Sequence, residues 1–305
     1  MTSILVTGGT GTFGRAFIQY LLEQTKIDRI CVYSRGEHAQ AAIGETFNHD
    51  PRLRMLIGDV RDVDRLTRAC RGIDTIVHAA ALKRIETGAY NPDEMVKTNV
   101  LGTMNVIEAA ITNNVKNVVS LSSDKAYQPI SPYGQSKALG ESLILAANSM
   151  HGQRGPKFAA VRYGNIWKAQ GSVVPKWLAA IHNGADSINV TDTRCTRFFM
   201  TVEEAVHLVW DSIGEKALVI PETLPAYRLY DLAQAMTMEY GVSLNVIGLP
   251  HYEKLHESMH DGLCSMDARR MTINELRAAL IEEGEGGGSR ARTRCSSPCA
   301  PALKS

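Results

Sequence analysis

Ser3-Ile-Leu-Val-Thr-Gly-Gly-Thr-Gly-Thr-Phe-Gly14 joins a short apolar run to a glycine-rich turn. The run over residues 3–7 predicts a buried strand, and the stripe of Phe13, Phe17 and Leu21 predicts an amphipathic helix after the turn. A Gly-x2-Gly-x2-Gly turn between a strand and a helix is typical of dinucleotide-binding sites, because the glycines let the backbone approach a pyrophosphate. A glycine turn that only packs the helix on the strand is the alternative.

The next apolar run, over residues 29–33, predicts a second strand, and Ser34-Arg35-Gly36 follows it. An NAD site commonly has an acidic residue here to hold the ribose 2′-hydroxyl, whereas a hydroxyl and a guanidinium suit a 2′-phosphate. The sequence therefore predicts NADP as the cofactor, with Ser34 and Arg35 as contacts. A solvated surface side chain is the alternative for Arg35, and the nearby Glu37 leaves NAD open.

Apolar runs and helical patterns continue to alternate along the chain. Strands are predicted at 53–57, 74–78, 117–121 and 158–162, and helices at 96–110, 135–149, 230–240 and 272–283. This alternation predicts an α/β fold with a Rossmann-like, doubly wound parallel sheet and a smaller C-terminal α/β lobe. We expect the sheet domain over residues 1–165, a substrate lobe interleaved with the sheet over 166–283, and a disordered low-complexity tail over 284–305.

In such a sheet the binding site lies at the carboxyl ends of the strands. Asp59 and Val60 follow the third strand and are expected near an adenine, although Asp59 could instead cap a helix beginning near Asp62. Small residues follow the fourth strand and would admit a cofactor, whereas His78 at its end is interpreted as a packing residue. The full predicted cofactor set is Gly8, Thr10, Gly11, Thr12, Phe13, Gly14, Ser34, Arg35, Asp59, Val60, Ala79, Ala80, Lys83, Asn99, Tyr133 and Lys137.

The fifth strand leads into Ser122-Ser-Asp-Lys-Ala-Tyr-Gln-Pro-Ile-Ser-Pro-Tyr-Gly-Gln-Ser-Lys137. Tyr133 and Lys137 are four residues apart, so they share one face of a helix, and the lysine cation there can lower the pKa of the phenol. A phenol with a lowered pKa is a usable base near neutrality. Tyr-x3-Lys arises often by chance, and only its position after the glycine turn and the strands favours a catalytic role.

Composition excludes several classes of function. The 305 residues carry a formal net charge of +1, so we expect neither a nucleic-acid nor a membrane partner. No apolar run approaches about 18 residues, and the N-terminus resembles no signal peptide. Cysteines 31, 70, 195 and 264 are interpreted as reduced thiols of a cytoplasmic protein. Cysteines 295 and 299 lack further ligands at suitable spacing, so no metal site is predicted.

Nine motifs together resemble the extended short-chain dehydrogenase/reductases, over roughly residues 3–280. Within that family the chain is similar to soluble UDP-N-acetylglucosamine 4,6-dehydratases that invert C5, which act in bacterial surface-sugar biosynthesis. Membrane-bound relatives that retain C5 have Met at the position of Tyr133. The motifs, in order, are TGGTGTFG, GDVRD, HAAALK, TNVLGT, SSDKAYQPISPYGQSK, RYGN, GSVVP, TRFFMT and EKLHE.

The resemblance implies a redox-neutral dehydration in which NADP takes a hydride from C4 and returns it to C6. Tyr133, supported by Lys137, would take the O4 proton. Lys125 would remove H5, and Asp124 would protonate the departing C6 hydroxyl. Ser123 stands where the family usually has threonine and keeps a hydroxyl for O4. The chemistry needs a base for an alcohol, a second base for a carbon acid and an acid for a poor leaving group.

The resemblance also implies a substrate site in the C-terminal half. Arg197 is expected to contact the diphosphate because its guanidinium suits phosphate oxygens, although a surface ion pair is the alternative. For Asn165, hydrogen bonding to its own loop is an equal alternative. The predicted substrate-binding residues are Lys83, Asn165, Val173, Thr191, Arg197 and Glu253.

Two departures from the family pattern bear on the substrate. Pro250 stands where an arginine usually contacts the diphosphate, and Tyr252 replaces a turn glycine. Arg197 or His251 would compensate, or the substrate differs. The stretch between His260 and Ser265 is also shorter than in the family.

Two other functions remain open from sequence. One is an epimerase or reductase that uses NADP on a related nucleotide sugar, and the Asp124-Lys125 pair counts against it because an epimerase needs no acid for a C6 hydroxyl. The other is a non-catalytic NADP-binding protein, against which Tyr133 and Lys137 count. As partners we expect a UDP-sugar and further copies of the chain, in a dimer or hexamer.

Overall fold

A seven-stranded parallel sheet forms the centre of the protein in a computed structural model, which describes residues 1–150 and 155–281. Its strand order is β10-β6-β5-β4-β1-β2-β3, so the chain builds outward on one side of β1 and then crosses to the other. The strands are β1 (Ser3–Thr7), β2 (Arg29–Ser34), β3 (Leu53–Ile57), β4 (Thr75–His78), β5 (Asn117–Leu121), β6 (Lys157–Val161), β7 (Asn165–Ile166), β8 (Ser187–Val190), β9 (Thr196–Met200), β10 (Leu218–Val219), β11 (Ala226–Arg228), β12 (Ser243–Val246), β13 (Ser258–His260) and β14 (Leu263–Cys264).

Helices cover both faces of this sheet, and the predicted α/β fold with a doubly wound parallel sheet is confirmed. The six predicted strands form within one residue of their expected bounds, because apolar side chains bury these strands between two helical layers. The α-helices are α1 (Thr12–Gln24), α2 (Glu37–Thr46), α3 (Val63–Ala69), α4 (Ile85–Tyr90), α5 (Pro92–Met95), α6 (Gly102–Thr112), α7 (Pro132–Ala147), α8 (Val173–His182), α9 (Val202–Asp211), α10 (Leu229–Tyr240) and α11 (Ile273–Ile281).

Two helices differ from their predicted bounds in ways that affect the site. The helix predicted at 96–110 begins instead as a π-helix, Val96–Leu101, and continues as α6. Helix α7 begins three residues earlier than expected, because Ser131 accepts a hydrogen bond from the Gly134 amide as N-cap and Pro132 suits the first turn. Tyr133 therefore lies in the first turn of α7.

The C-terminal half builds small sheets and a hydrophobic core of its own. Strands β11, β9 and β7 form one sheet, and β12 pairs with β8. The same half also supplies β10 to the central sheet, and α9 packs on α1, where the rings of Tyr20 and Trp210 lie 5.5 Å apart. The division near residue 165 stays a prediction.

The end of the helix predicted at 272–283 and the whole predicted tail fall outside the described residues. The tail over 284–305, with Cys295 and Cys299, lies beyond residue 281. Within 1–150 and 155–281, no helix is both long and apolar enough to cross a bilayer. The cysteines of these ranges are free thiols, and Cys31, Cys70 and Cys195 are buried.

Candidate active site

In the glycine turn after β1, the glycines have no side chain to cover the backbone at the carboxyl edge of the sheet. Gly8 has φ +66°, and a Cβ on it would lie 2.7 Å from the Ala80 nitrogen, so only glycine fits between the ends of β1 and β4. Gly11 is the N-cap of α1 and offers no side chain to cap it. The first amides of α1 are thus available to an anion, as a bound pyrophosphate requires.

Other residues of the turn serve structure through their side chains. The ring of Phe13 is buried and stacks on Phe17 with centroids 5.5 Å apart, so only its backbone could contact a cofactor. Thr12 Oγ accepts a hydrogen bond of 3.1 Å from the Gln170 amide, and Thr10 O accepts one of 3.1 Å from Arg15 Nε. The Thr12 contact joins the turn to the C-terminal half.

Arg35 lies beside an acidic group at the ends of β2 and β3. Its side chain is 60% exposed, and its Nη1 atom is 4.0 Å from Asp59 Oδ2. Burial alone would raise the pKa of Asp59, but hydrogen bonds from the Arg61 side chain and amide hold it below its ordinary value. Ser34 is buried and accepts a hydrogen bond from Gln40. The guanidinium of Arg35 is mostly exposed, and its contact with Asp59 is long, so it is accessible to a phosphate.

Asp59 does not cap α3, which was the alternative expected from sequence. The cap is Asp62, whose side chain accepts a 2.9 Å hydrogen bond from the Arg65 amide. Val60 is buried, and its carbonyl accepts a 2.9 Å hydrogen bond from Asn105, so this segment is held to α6.

Asn99 holds the loop after β4 against α7. Its Oδ1 accepts from the Leu82 amide at 2.8 Å, and its Nδ2 donates to Leu82 O and Ser136 Oγ, both at 2.9 Å. These contacts position Lys83 in the cavity described below, where burial and the neighbouring Arg84 lower the pKa of its ammonium. Asn99 thus acts on a cofactor site through the loop that it holds.

His78, at the end of β4, is a packing residue in the structure. Its two ring nitrogens lie 2.8 Å from Thr7 Oγ and 3.2 Å from Thr103 Oγ. Burial, together with the nearby Lys137 cation, lowers its pKa to about 3. The ring is therefore neutral at physiological pH.

The residues that follow β5 meet in a single buried cluster. Ser123 Oγ donates to Asp124 Oδ1 at 2.8 Å, and Lys125 Nζ donates to the same oxygen at 3.1 Å. Lys125 Nζ also donates to Asn165 Oδ1 at 3.0 Å, so Asn165 contacts the cluster rather than its own loop. Asp124 is fully buried, and its Oδ2 has no hydrogen-bond partner in the described part of the chain.

Tyr133 and Lys137 share a face of α7, and the support of Tyr133 by Lys137 stays a prediction. Burial raises the pKa of Tyr133, and the largest opposing influences are the Lys125 cation and a hydrogen bond with Ser123. Lys137 Nζ instead donates to Leu121 O, and burial lowers its pKa to about 8. Lys125 is therefore a cation that favours ionisation of Tyr133.

Glu257 belongs to this cluster and was not in the predicted site. Its side chain is 3% exposed, and its Oε1 lies 3.4 Å from Lys125 Nζ. Glu257 is the last residue of the EKLHE motif. Because it lies far from Lys125 along the chain, no local spacing predicts their contact, and only the resemblance in that motif indicates that the segment belongs to the site.

A cavity of about 620 Å³ opens beside the cluster and continues into the C-terminal half. It is large enough for a nucleotide-sized ligand. Its lining brings together all six predicted substrate residues with three of the predicted catalytic residues. Among the lining residues are Lys83, Lys125, Tyr133, Asn165, Val173, Thr191, Arg197, Glu253 and Glu257.

Arg197 and Thr191 differ in the number of hydrogen-bond partners that their side chains have within the protein. Arg197 Nη1 donates to Thr196 O and Leu255 O at 2.8 and 3.1 Å, and its Nη2 lies 3.4 Å from Glu253 Oε2. Thr191 Oγ1 is buried without a hydrogen-bond partner among the described residues.

A family described as "Polysaccharide biosynthesis protein" matches residues 4–274, which include every residue of this cluster. The chain belongs to this family. The resemblance to extended short-chain dehydrogenase/reductases is thereby confirmed. Two relatives of this family member are similar over 84% of the chain and 77% of their own length. They are a "UDP-N-acetylglucosamine 4,6-dehydratase (inverting)" of Campylobacter jejuni, 41% identical, and a "UDP-glucose 4-epimerase" of Rickettsia felis, 37% identical.

A solved structure supports the fold of this family member. DesIV, a dTDP-glucose 4,6-dehydratase from Streptomyces venezuelae solved with NAD bound, matches with a TM-score of 0.78 and 23% identity. The match covers 91% of this chain and 95% of DesIV. At that identity the likeness extends to the fold alone.

Proposed function

We propose that the chain dehydrates UDP-N-acetylglucosamine to a UDP-2-acetamido-2,6-dideoxy-4-keto-hexose with inversion at C5, using NADP. The observation that carries this proposal is the contact between Asp124 and Lys125 beside Tyr133 at one wall of the cavity. Two bases and an acid are what elimination of water from a hexose requires. The 41% identity to the Campylobacter dehydratase supports the same reaction.

A nicotinamide cofactor fits the carboxyl edge of the sheet and supplies hydride acceptance and return when bound. Gly8 and the first turn of α1 would hold its pyrophosphate, and Arg35 its 2′-phosphate. On the protein side, Tyr133 takes the O4 proton and Lys125 removes the proton from C5. Asp124 gives a proton to the departing C6 hydroxyl. Because Asp124 is fully buried, this proton passes through Ser123 or moves after a small displacement of the side chain.

An epimerase on a related nucleotide sugar is the second candidate, because the Rickettsia relative carries that name. The Asp124–Lys125 contact argues against it, since inversion at C4 eliminates no hydroxyl. A non-catalytic NADP-binding protein would have no use for this cluster. We also propose a role in bacterial surface-sugar synthesis, a cytoplasmic location and a homo-oligomer.

Incubation of the purified protein with UDP-N-acetylglucosamine in deuterated water is expected to release one water per sugar. The product should carry deuterium at C5 in inverted configuration, because proton removal and return both occur there. NMR and mass spectrometry measure both changes, without added cofactor if the cofactor co-purifies. A product epimerised at C4 with no loss of water would instead establish the epimerase, and unchanged sugar with NADP bound would reject UDP-N-acetylglucosamine as substrate.

Replacement of Arg35 by alanine is expected to weaken NADPH binding by about tenfold or more, because one charge-assisted phosphate contact is worth about 1.5–3 kcal/mol. Binding of NADH should change little. Fluorescence titration of both cofactors measures the two affinities.

Arg54→Ala provides the matched control. Arg54 is also exposed, but its guanidinium donates to Pro51 O and Leu53 O at the opposite edge of the sheet. Both affinities should stay unchanged in that variant. An equal loss of NADH and NADPH affinity in Arg35→Ala would contradict the 2′-phosphate contact.

A further inference from the structure

Glu257 is a buried carboxylate placed between two lysines. Its Oε1 lies 3.4 Å from Lys125 Nζ and its Oε2 lies 3.6 Å from Lys254 Nζ. Oε2 has no hydrogen-bond partner within residues 1–150 and 155–281, although it is buried. Burying a carboxylate that is held only by ion pairs carries a desolvation penalty. The lysines that it contacts are therefore where its charge acts.

The backbone around Glu257 fixes its side chain. Its amide donates to Ser265 Oγ at 2.9 Å, and its carbonyl accepts a 2.8 Å hydrogen bond from the Ser265 amide. Lys254, three residues earlier, donates to Tyr127 O and so joins this segment to the loop that carries Lys125. The carboxylate is therefore held in one place relative to Lys125.

Three cations and three carboxylates are linked by ion pairs around Lys125 and Arg197. The cations are Lys125, Lys254 and Arg197, and the carboxylates are Asp124, Glu253 and Glu257. Arg197 is already paired with Glu253. Without Glu257, Lys125 would share only Asp124 and would face uncompensated positive charge.

We propose that Glu257 is a positioning residue, whose carboxylate anchors the Lys125 ammonium beside Asp124 and Asn165 and sets the pH dependence of proton removal by Lys125. The reaction in which Lys125 takes part is the proposed dehydration, so that part rests on the proposed function. The anchoring itself does not depend on the substrate.

The charged and titratable groups that face Lys125 decide the direction of the effect. Burial alone would lower the pKa of Lys125, but Asp124 and Glu257 raise it above its ordinary value, against the opposing charge of Arg197. Tyr133 also raises this pKa when ionised. Removing the Glu257 charge should therefore make the neutral amine of Lys125 available at lower pH.

Titration of Lys125 by NMR in protein labelled with 13C at the lysine ε-carbons tests the anchoring directly. The signal is assigned by its loss in Lys125→Met, and it is followed from about pH 8 to the highest pH at which the protein stays folded, because the ordinary pKa of a lysine is about 10.4. In Glu257→Gln its midpoint is expected at least roughly 1 pH unit below that of the wild type. A Lys125 signal that stays protonated to the same pH in both proteins overturns the proposal.

Two further variants separate the charge of Glu257 from its structural role. Glu257→Asp keeps the charge and should restore most of the wild-type titration. Glu253→Gln makes the same chemical change on the same segment, but Glu253 is paired with Arg197 and not with Lys125, so the Lys125 midpoint should fall less than in Glu257→Gln. If Glu257→Gln does not fold, Glu257→Ser is titrated in its place, and the same lowering of the Lys125 midpoint is expected. An unmoved midpoint in that variant overturns the proposal.

The pH profile of deuterium incorporation at C5 tests the consequence for the reaction. In Glu257→Gln the profile should move to lower pH by roughly 1 unit, whereas a merely structural role would lower the rate equally at every pH. If the wild type does not dehydrate the sugar, the proposed function fails while the NMR titration still decides the anchoring. If the wild type dehydrates it and both titration and profile are unmoved, only this inference fails.

Discussion

Replacement of Tyr133 by phenylalanine is expected to lower the rate of water loss by about 10²–10⁴-fold, the usual contribution of a positioned acid or base. The variant keeps the ring that packs in the first turn of α7 and loses only the hydroxyl. Burial raises the pKa of that hydroxyl, whereas the Lys125 cation and a hydrogen bond with Ser123 lower it. Without it, nothing takes the O4 proton, so oxidation at C4 cannot begin.

Single-turnover measurement locates the defect in the variant. In the wild type, mixing with the sugar should produce transient absorbance of the reduced nicotinamide, and in Tyr133→Phe this signal should be absent. Affinity for the UDP-sugar should remain within a few-fold, since the rest of the cavity is unchanged. Near-normal turnover would contradict the role of Tyr133.

Tyr20→Phe is the control for the loss of a tyrosine hydroxyl. Tyr20 lies on α1, where its ring packs against Trp210 and His207, away from the cavity. Its removal should leave turnover unchanged. A loss of activity in both variants would indicate a general effect on stability instead of chemistry.

Local signals in the sequence were enough for the frame of the fold. Apolar runs predict strands because both faces of a parallel sheet are buried, and Gly8 and Gly14 mark a turn where any Cβ would collide with backbone. The π-helix at Val96–Leu101 was not predicted, since its apolar spacing does not differ enough from that of an α-helix.

The contacts that define the site were harder to predict, because they join residues far apart in sequence. Lys125 meets Asn165 and Glu257 only once β5, β7 and the segment before β13 are placed. Helical spacing correctly put Tyr133 and Lys137 on one face, but it could not show that Leu121 O accepts from the lysine. Spacing within one element does not reveal what other elements contribute.

Replacement of Lys125 by methionine is expected to lower the rate of deuterium incorporation at C5 by about 10²–10⁴-fold. NADP should stay bound in this variant. The informative comparison is Lys125→Arg. Arginine keeps the positive charge that Asp124 and Glu257 surround, but its pKa is too high for it to accept a proton. Both variants should therefore fail in C5 exchange if Lys125 is the base.

Hydride removal at C4 separates the two roles of Lys125. Lys125→Arg should still form the transient reduced nicotinamide, because a cation remains near Tyr133 to favour its ionisation. Lys125→Met should form it more slowly, since that cation is lost. An arginine variant that exchanges C5 at the wild-type rate would show that the lysine supplies only charge.

The resting ion pair is compatible with a base at Lys125. Transfer of one proton from Lys125 Nζ to Asp124 Oδ1, across their 3.1 Å hydrogen bond, gives a neutral amine and a carboxylic acid. These are the base for C5 and the acid for the C6 hydroxyl. Lys125→Arg blocks that transfer, because arginine keeps its proton, and Lys125→Met removes the donor.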